Sequence, residues 1–180
     1  MAVMQIAGYS NTGKTRLIEA LCQQLPGPVL VVKFSHHRPR PDRVGSDTDR
    51  FAHAGAHTVL MQPYQATWRS PFPLPIDWRQ VDRWYPWILW EGAKSVATPK
   101  IVVGSELLVQ ELDNVRAVIG PTPPSEVDLW FKAPLPLTLA LASQAAAWII
   151  EHHMALSFSV DNIPVLPPRS SERPLGKEPL

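Results

Sequence analysis

Four residues near the start of the chain, Gly8, Gly13, Lys14 and Thr15, lie in the stretch "GYSNTGKTRL" with the spacing G-x-x-x-x-G-K-[ST]. In that pattern successive backbone N–H groups turn inward and cradle the phosphates of a nucleotide. Each residue type supplies one part of the chemistry. Glycine permits positive φ and close backbone approach, the lysine brings a cation to the β and γ phosphates, and the threonine hydroxyl completes a Mg²⁺ shell. A helix that opens directly afterwards adds its positive N-terminal end. Nucleotide chemistry also needs a carboxylate near the metal. Glu91 follows the apolar run "PWILW" directly, which is the Walker B position.

The third group of polar residues follows the run "PVLVVKF": Lys33, His36, His37, Asp42 and Asp47. Three readings of this loop stand open: contacts to phosphate or to a substrate, a solvated basic loop, or a bound zinc. No C-x-x-C or H-x-x-x-H accompanies the two histidines within the loop. Asp47 is the better Mg²⁺ ligand of the set, because a hard cation prefers carboxylate oxygen to imidazole. His53 and His57 are four apart, but a strand is expected to start near 57, so both read as structural. Arg38, Arg40, Arg43 and Arg50 make this region locally basic, which suits either a polyanionic ligand or solubility.

These groups converge only if the elements between them place them together. Residues 2–7 read as a buried strand, and Leu17, Ile18, Leu21 and Leu25 give one apolar helical face stopped by "PGP". Further strands are expected at 28–34, 57–61, 86–90, 100–103, 115–120 and 127–131, with helices at 47–55, 76–84 and 137–153. The segment "QATWRSPFPLP" reads as a proline-broken connection. Alternating strands and helices predict an α/β, three-layer fold of the P-loop NTPase kind, with a mostly parallel sheet flanked by helices. The loops at 8–15, 33–47 and 91–94 should then meet beyond the carboxyl ends of the strands. Residues 1–160 are expected to form one nucleotide-binding domain, and the proline-rich 164–180 a mobile tail.

Composition narrows the classes. The chain has 180 residues, with 17 basic and 16 acidic side chains and a net charge of +1, so nothing in the balance asks for nucleic acid or an acidic membrane. One cysteine, Cys22, excludes an internal disulfide framework. The phosphate loop begins so early that no leader is expected ahead of it, which favours a cytoplasmic protein. Residues 133–150 could be mistaken for a membrane span, but they hold two prolines and the polar Thr138, Ser143 and Gln144. Leu137, Leu141, Ala145, Trp148 and Ile149 instead fall on one face of a packed surface helix.

Taken together, "GYSNTGKT", "KFSHHRPRPDRVGSD", "HAGA" and "LWEGAKSVATPKIVV" resemble, in order and spacing, the molybdopterin-guanine dinucleotide biosynthesis protein B family of molybdenum-cofactor adapters. The resemblance covers roughly residues 2–153. It implies a GTP-binding, weakly hydrolysing homodimer that assists the guanylyltransferase attaching GMP to molybdopterin or its molybdenum-loaded form. Carried over by position, Gly8, Ser10, Asn11, Thr12, Gly13, Lys14, Thr15 and Arg16 would hold the nucleotide. Thr15, Asp47 and Glu91 would surround Mg²⁺, with Lys14 and Glu91 as the catalytic pair. Lys33, His36, His37 and Asp42 match the loop after the family's second strand, and Gly55 and Ala56 match its "AGA". The chain departs from the family pattern at Phe34, Arg38, Arg40 and Gly104, where histidine, acidic residues and arginine are expected. Guanine preference follows from the resemblance alone, since no N-K-x-D segment occurs. The rivals are an ATP-dependent small-molecule kinase, a pure interaction protein that holds a nucleotide structurally, and a metallochaperone using His36 and His37.

Overall fold

The computed structural model describes residues 2–34, 44–61, 66–69, 81, 83–127 and 129–159. Eight strands form a single sheet: β1 Ala2–Gly8, β2 Val29–Phe34, β3 His57–Met61, β4 Ala66–Arg69, β5 Trp87–Glu91, β6 Lys100–Val103, β7 Val115–Gly120 and β8 Leu129–Lys132. Their order is β4-β3-β2-β5-β1-β6-β7-β8. Every neighbouring pair is parallel except β3 with β4. Among the described residues the helices are α1 Lys14–Gln24, α2 Asp47–His53, α3 Glu106–Gln110, α4 Leu139–Glu151 and α5 His153–Leu156.

The central strands are apolar almost throughout because both faces are covered. On one face Met4, Ile6, Val29, Val31, Leu89, Ile101 and Ile119 pack with Leu17, Ile18 and Leu21 of α1 and with α4. On the other, Val3, Leu30, Val32, Ile88 and Trp90 meet Tyr85 and Phe158, while Ala7, Val102 and Val118 meet Leu108 of α3. The alternation along β1, Met4 and Ile6 one way and Val3 and Ala7 the other, is the two-residue period of a strand buried on both sides. This is the expected α/β, P-loop-like architecture.

The helix against α1 carries the expected stripe only in part, with Leu137, Ala145 and Ile149 buried as expected. Ala142, Ala145, Ala146 and Ile149 are buried, whereas Leu141 and Trp148 are only partly so. Alanines let the two helix backbones approach closely, and that close approach decides which side faces inward. The expected single helix over 137–153 is two, α4 and the short α5, parted at His152. Beyond them Phe158 exchanges both main-chain hydrogen bonds with Val3 at 3.0 Å, filling the side of β1 that β6 does not reach.

Two elements were not expected. The segment read as a proline-broken connection contains β4, an antiparallel edge strand paired to β3 from Thr58↔Arg69 to Met61↔Ala66. Its pairing partner lies on β3, so no local pattern announces it. Helix α3, five residues long, is too short to show a period. The expected helix over 76–84 and the tail from 164 fall mostly or wholly outside the described residues. No helix among the described residues is long and apolar enough to cross a membrane.

Candidate functional site

Strand β1 ends at Gly8, and the chain turns immediately. A Cβ at Gly8 would lie 2.5 Å from the Val103 carbonyl oxygen of β6, so the close approach of the two strands requires glycine. Gly13 caps α1 at φ 97°, and a Cβ there would lie 2.7 Å from the Leu137 nitrogen. The turn is stiffened from within and from outside. Thr12 Oγ1 donates to the Tyr9 carbonyl at 3.1 Å, the Leu137 N–H donates to the Thr12 carbonyl at 3.1 Å, and Arg16 Nη1 donates to the Leu137 carbonyl at 2.7 Å. The first N–H groups of α1 have no partner within the helix, which makes its opening an anion-binding position.

Around this turn opens a cleft of about 1010 Å³. Gly8, Ser10, Asn11, Gly13, Lys14, Thr15, Arg16, Lys33, Asp47 and Glu91, all predicted from sequence, line it. Thr12 is not among its walls, and its hydroxyl bonds the loop itself. His36, His37 and Asp42 lie outside the described residues. His53 ends α2 and His57 opens β3, so the pair shares no helical face. His53 Nδ1 meets the Asp49 carbonyl, and His57 Nδ1 meets Tyr85 Oη; burial lowers the His57 pKa.

Register alone brings two of the charged groups together: Lys33 of β2 is the Cα partner of Glu91, the last residue of β5. Asp47 arrives from another direction, as the first residue of α2. Ser46 caps that helix by accepting from Asp49 N at 3.2 Å, and the Arg50 guanidinium clasps the Glu19 carboxylate of α1 at 2.9 and 3.0 Å. This clasp sets α2 against α1 so that Thr15 Oγ1 lies 3.3 Å from Asp47 Oδ1. The Lys33 ammonium pairs with Asp47 and lies 3.5 Å from Glu91 Oε2.

Burial holds the Glu91 carboxyl above the usual carboxylate range; Lys33 pulls it down, Asp47 pushes it further up, and Lys14 pulls it down. Its Oε2 is buried and receives no hydrogen bond among the described residues, since the Lys33 contact is an ion pair too long to be one. A buried carboxylate oxygen without a donor, beside an aspartate and a threonine hydroxyl, is a hard-oxygen set that fits Mg²⁺. Lys14 Nζ donates to the Tyr9 carbonyl, and burial lowers its pKa.

Sequence reasoning missed the group that holds Glu91's turn in place. Gln5, buried in β1, donates from Nε2 to the carbonyls of Gly92 at 2.7 Å and Ala93 at 2.9 Å, and its Oε1 accepts from Thr98 Oγ1. Both turn residues have positive φ, 92° and 51°. The available signal was one amide in an otherwise apolar strand. Also missed was the rim, where Lys94 Nζ sits 4.7 Å over the Tyr9 ring and Tyr9 Oη donates to Glu111 at 2.7 Å. Cys22 packs against the core, and burial pushes its thiol up to about 12.

The family model for molybdopterin guanine dinucleotide synthesis protein B, MobB, matches residues 3–120, which include the turn at 8–15, Lys33, Asp47 and Glu91. A molybdopterin-guanine dinucleotide biosynthesis adapter protein of Haemophilus influenzae is 30% identical over 138 residues, 70% of this chain and 78% of that protein. A probable adapter protein of the same kind from Bacillus subtilis is 29% identical over 128 residues, 64% of this chain and 71% of that protein. Among solved structures, that of Bacillus subtilis MobB superimposes with a TM-score of 0.51 at 20% identity, over 85% of this chain and 98% of the other, a likeness of fold. On the match across 3–120, the chain belongs to the MobB family.

Proposed function

We propose that this chain is an adapter in molybdopterin guanine dinucleotide synthesis that binds GTP with Mg²⁺ in the cleft at residues 8–16 and hydrolyses it slowly. The observation that carries this reading is the meeting of Thr15, Asp47 and Glu91 at the opening of α1, beside Lys14. The inward N–H groups of the turn and of the first helical residues would take the phosphates. Rotation of Lys14 away from the Tyr9 carbonyl would bring its ammonium onto the β and γ oxygens. Thr15, Asp47 and Glu91 would hold Mg²⁺, which would supply positive charge against the phosphates. Glu91, fixed by the Gln5 amide on the turn that follows it, would orient water at the terminal phosphate.

In this reading guanine preference comes from family membership. The partners are the guanylyltransferase and molybdopterin or its molybdenum-loaded form, and the protein works as a cytoplasmic homodimer, with no part for nucleic acid or a membrane. Residues 1–160 form the working domain, to which 164–180 is an appended segment. The small-molecule kinase reading needs Lys33 on an acceptor oxygen.

Replacing Lys14 by alanine tests the site. Loss of charge-assisted contacts to two phosphates should weaken GTP binding on the order of 100-fold, with thermal unfolding little changed. Retained affinity would remove the nucleotide from this cleft.

A further inference from the structure

The two carboxylates offered to Mg²⁺ already share a cation. Lys33 Nζ pairs with Asp47 Oδ2 and stands 3.5 Å from Glu91 Oε2, the same buried oxygen that receives no hydrogen bond among the described residues. We propose that Lys33 is a tethered competitor of the metal: its ammonium and Mg²⁺ use the same carboxylates, so the metal binds only as Lys33 swings away. The inference rests on the reading of the cleft as a Mg²⁺–nucleotide site.

The competition follows from geometry and charge. Mg²⁺ demands oxygen at about 2.0–2.1 Å in near-octahedral order, so it needs the Asp47 oxygen that the ammonium engages and the space that the ammonium fills beside Glu91. Two cations cannot both lie against Asp47 and Glu91 without strong repulsion in a partly desolvated cleft. Lys33 is placed for the part by its backbone, since its Cα lies in register with Glu91. It is also free to leave. Its side chain is 24% exposed, and lysine is a point charge on a flexible stem. Lys14, another cation of the cleft, donates to the Tyr9 carbonyl and does not substitute for it.

Such an arrangement has a functional consequence. Without the ammonium, Asp47 and the buried Glu91 would repel each other and could trap a free divalent ion. With it, bare metal meets a pair whose charge is already half offset, and only a metal arriving with phosphate oxygens gains enough new ligands to displace the lysine. Metal and nucleotide are thereby made to bind together.

The test uses full-length protein stripped of nucleotide and metal, with Mn²⁺ as probe and free Mn²⁺ read by electron paramagnetic resonance. The wild type should bind little Mn²⁺ below about 1 mM, whereas Lys33→Met should bind one ion at least about tenfold more tightly. In chelator the variant should melt several degrees below the wild type, and Mg²⁺ alone should restore it while leaving the wild type unmoved. Lys33→Gln, which keeps polarity without charge, carries the same expectation if the methionine variant does not fold. Equal Mn²⁺ affinity in wild type and a folded variant would overturn the proposal. Titration of the wild type with Mg²⁺ and GTP is read separately. Its failure would sink the nucleotide reading, while the metal-only comparison would still decide the part played by Lys33.

Discussion

Two lysines in this sheet are held in opposite ways. Lys100 opens β6 at the amino end of the strand and is wholly buried, with Nζ donating to the carbonyls of Val96 at 2.6 Å, Thr98 at 3.1 Å and Asp113 at 2.9 Å. Lys33 stands near the carboxyl end of β2, partly exposed, between two carboxylates. A cage of main-chain dipoles satisfies all three ammonium hydrogens and has no charge to offer another ion. A pair of carboxylates holds its lysine by charge and can exchange it. The amino ends of the strands are therefore built as a fixed floor and the carboxyl ends as a changeable mouth, in keeping with where parallel sheets bind ligands. The Gln5 and Thr98 side chains join the two, because the loop that Lys100 ties down at Val96 and Thr98 begins at Glu91.

Removing the fixed lysine should have the larger effect on stability. Lys100→Met leaves the buried Thr98 carbonyl and the part-buried carbonyls of Val96 and Asp113 without their donor, a loss of about 2–4 kcal/mol after allowing for the burial that already lowers the Lys100 pKa. Thermal unfolding should drop by about 5–15 °C. A variant within a degree of wild type would show that water replaces the ammonium at no cost and that the floor is not rigid.

Glu91→Gln should act in the opposite direction and more weakly. An acid whose folded-state pKa lies above its unfolded value holds its proton more tightly when folded, so stability falls as pH rises through that interval. The Glu91 carboxylate therefore costs stability at neutral pH. The glutamine variant, without added metal, should melt about 2–4 °C higher at pH 7, with the gap narrowing as pH falls toward 4.5. The same variant should lose Mg²⁺-dependent hydrolysis more than nucleotide binding. A lower melting temperature at pH 7 would mean that the Lys33 contact outweighs burial, and equal loss of binding and hydrolysis would make Glu91 structural.

The mouth was far more legible than the floor. The turn at 8–15 is local chemistry, with its glycines, lysine and threonine inside one short stretch. Glu91 was readable because an apolar strand ends on it, and Asp47 because its residue type suits Mg²⁺ better than its histidine neighbours. The meeting of Lys33 with Glu91 depends on the register of β2 against β5, which sequence does not display. Gln5 and Lys100 bond groups 13 to 93 positions away or close small loops on themselves, so neither forms a spacing that can be recognised. Strand β4 was lost for the same reason: its partner is β3, and the prolines that follow it, Pro71 and Pro73, made the whole segment read as a connection.

Titration calorimetry of the purified protein with GTP and with ATP, each in Mg²⁺ and again in chelator, tests the central claim most directly. Clear GTP binding in Mg²⁺, weaker in chelator and weaker still with ATP, is the predicted result. Absence of binding to either nucleotide would contradict the nucleotide-dependent adapter, and a preference for ATP would move the reading to the kinase.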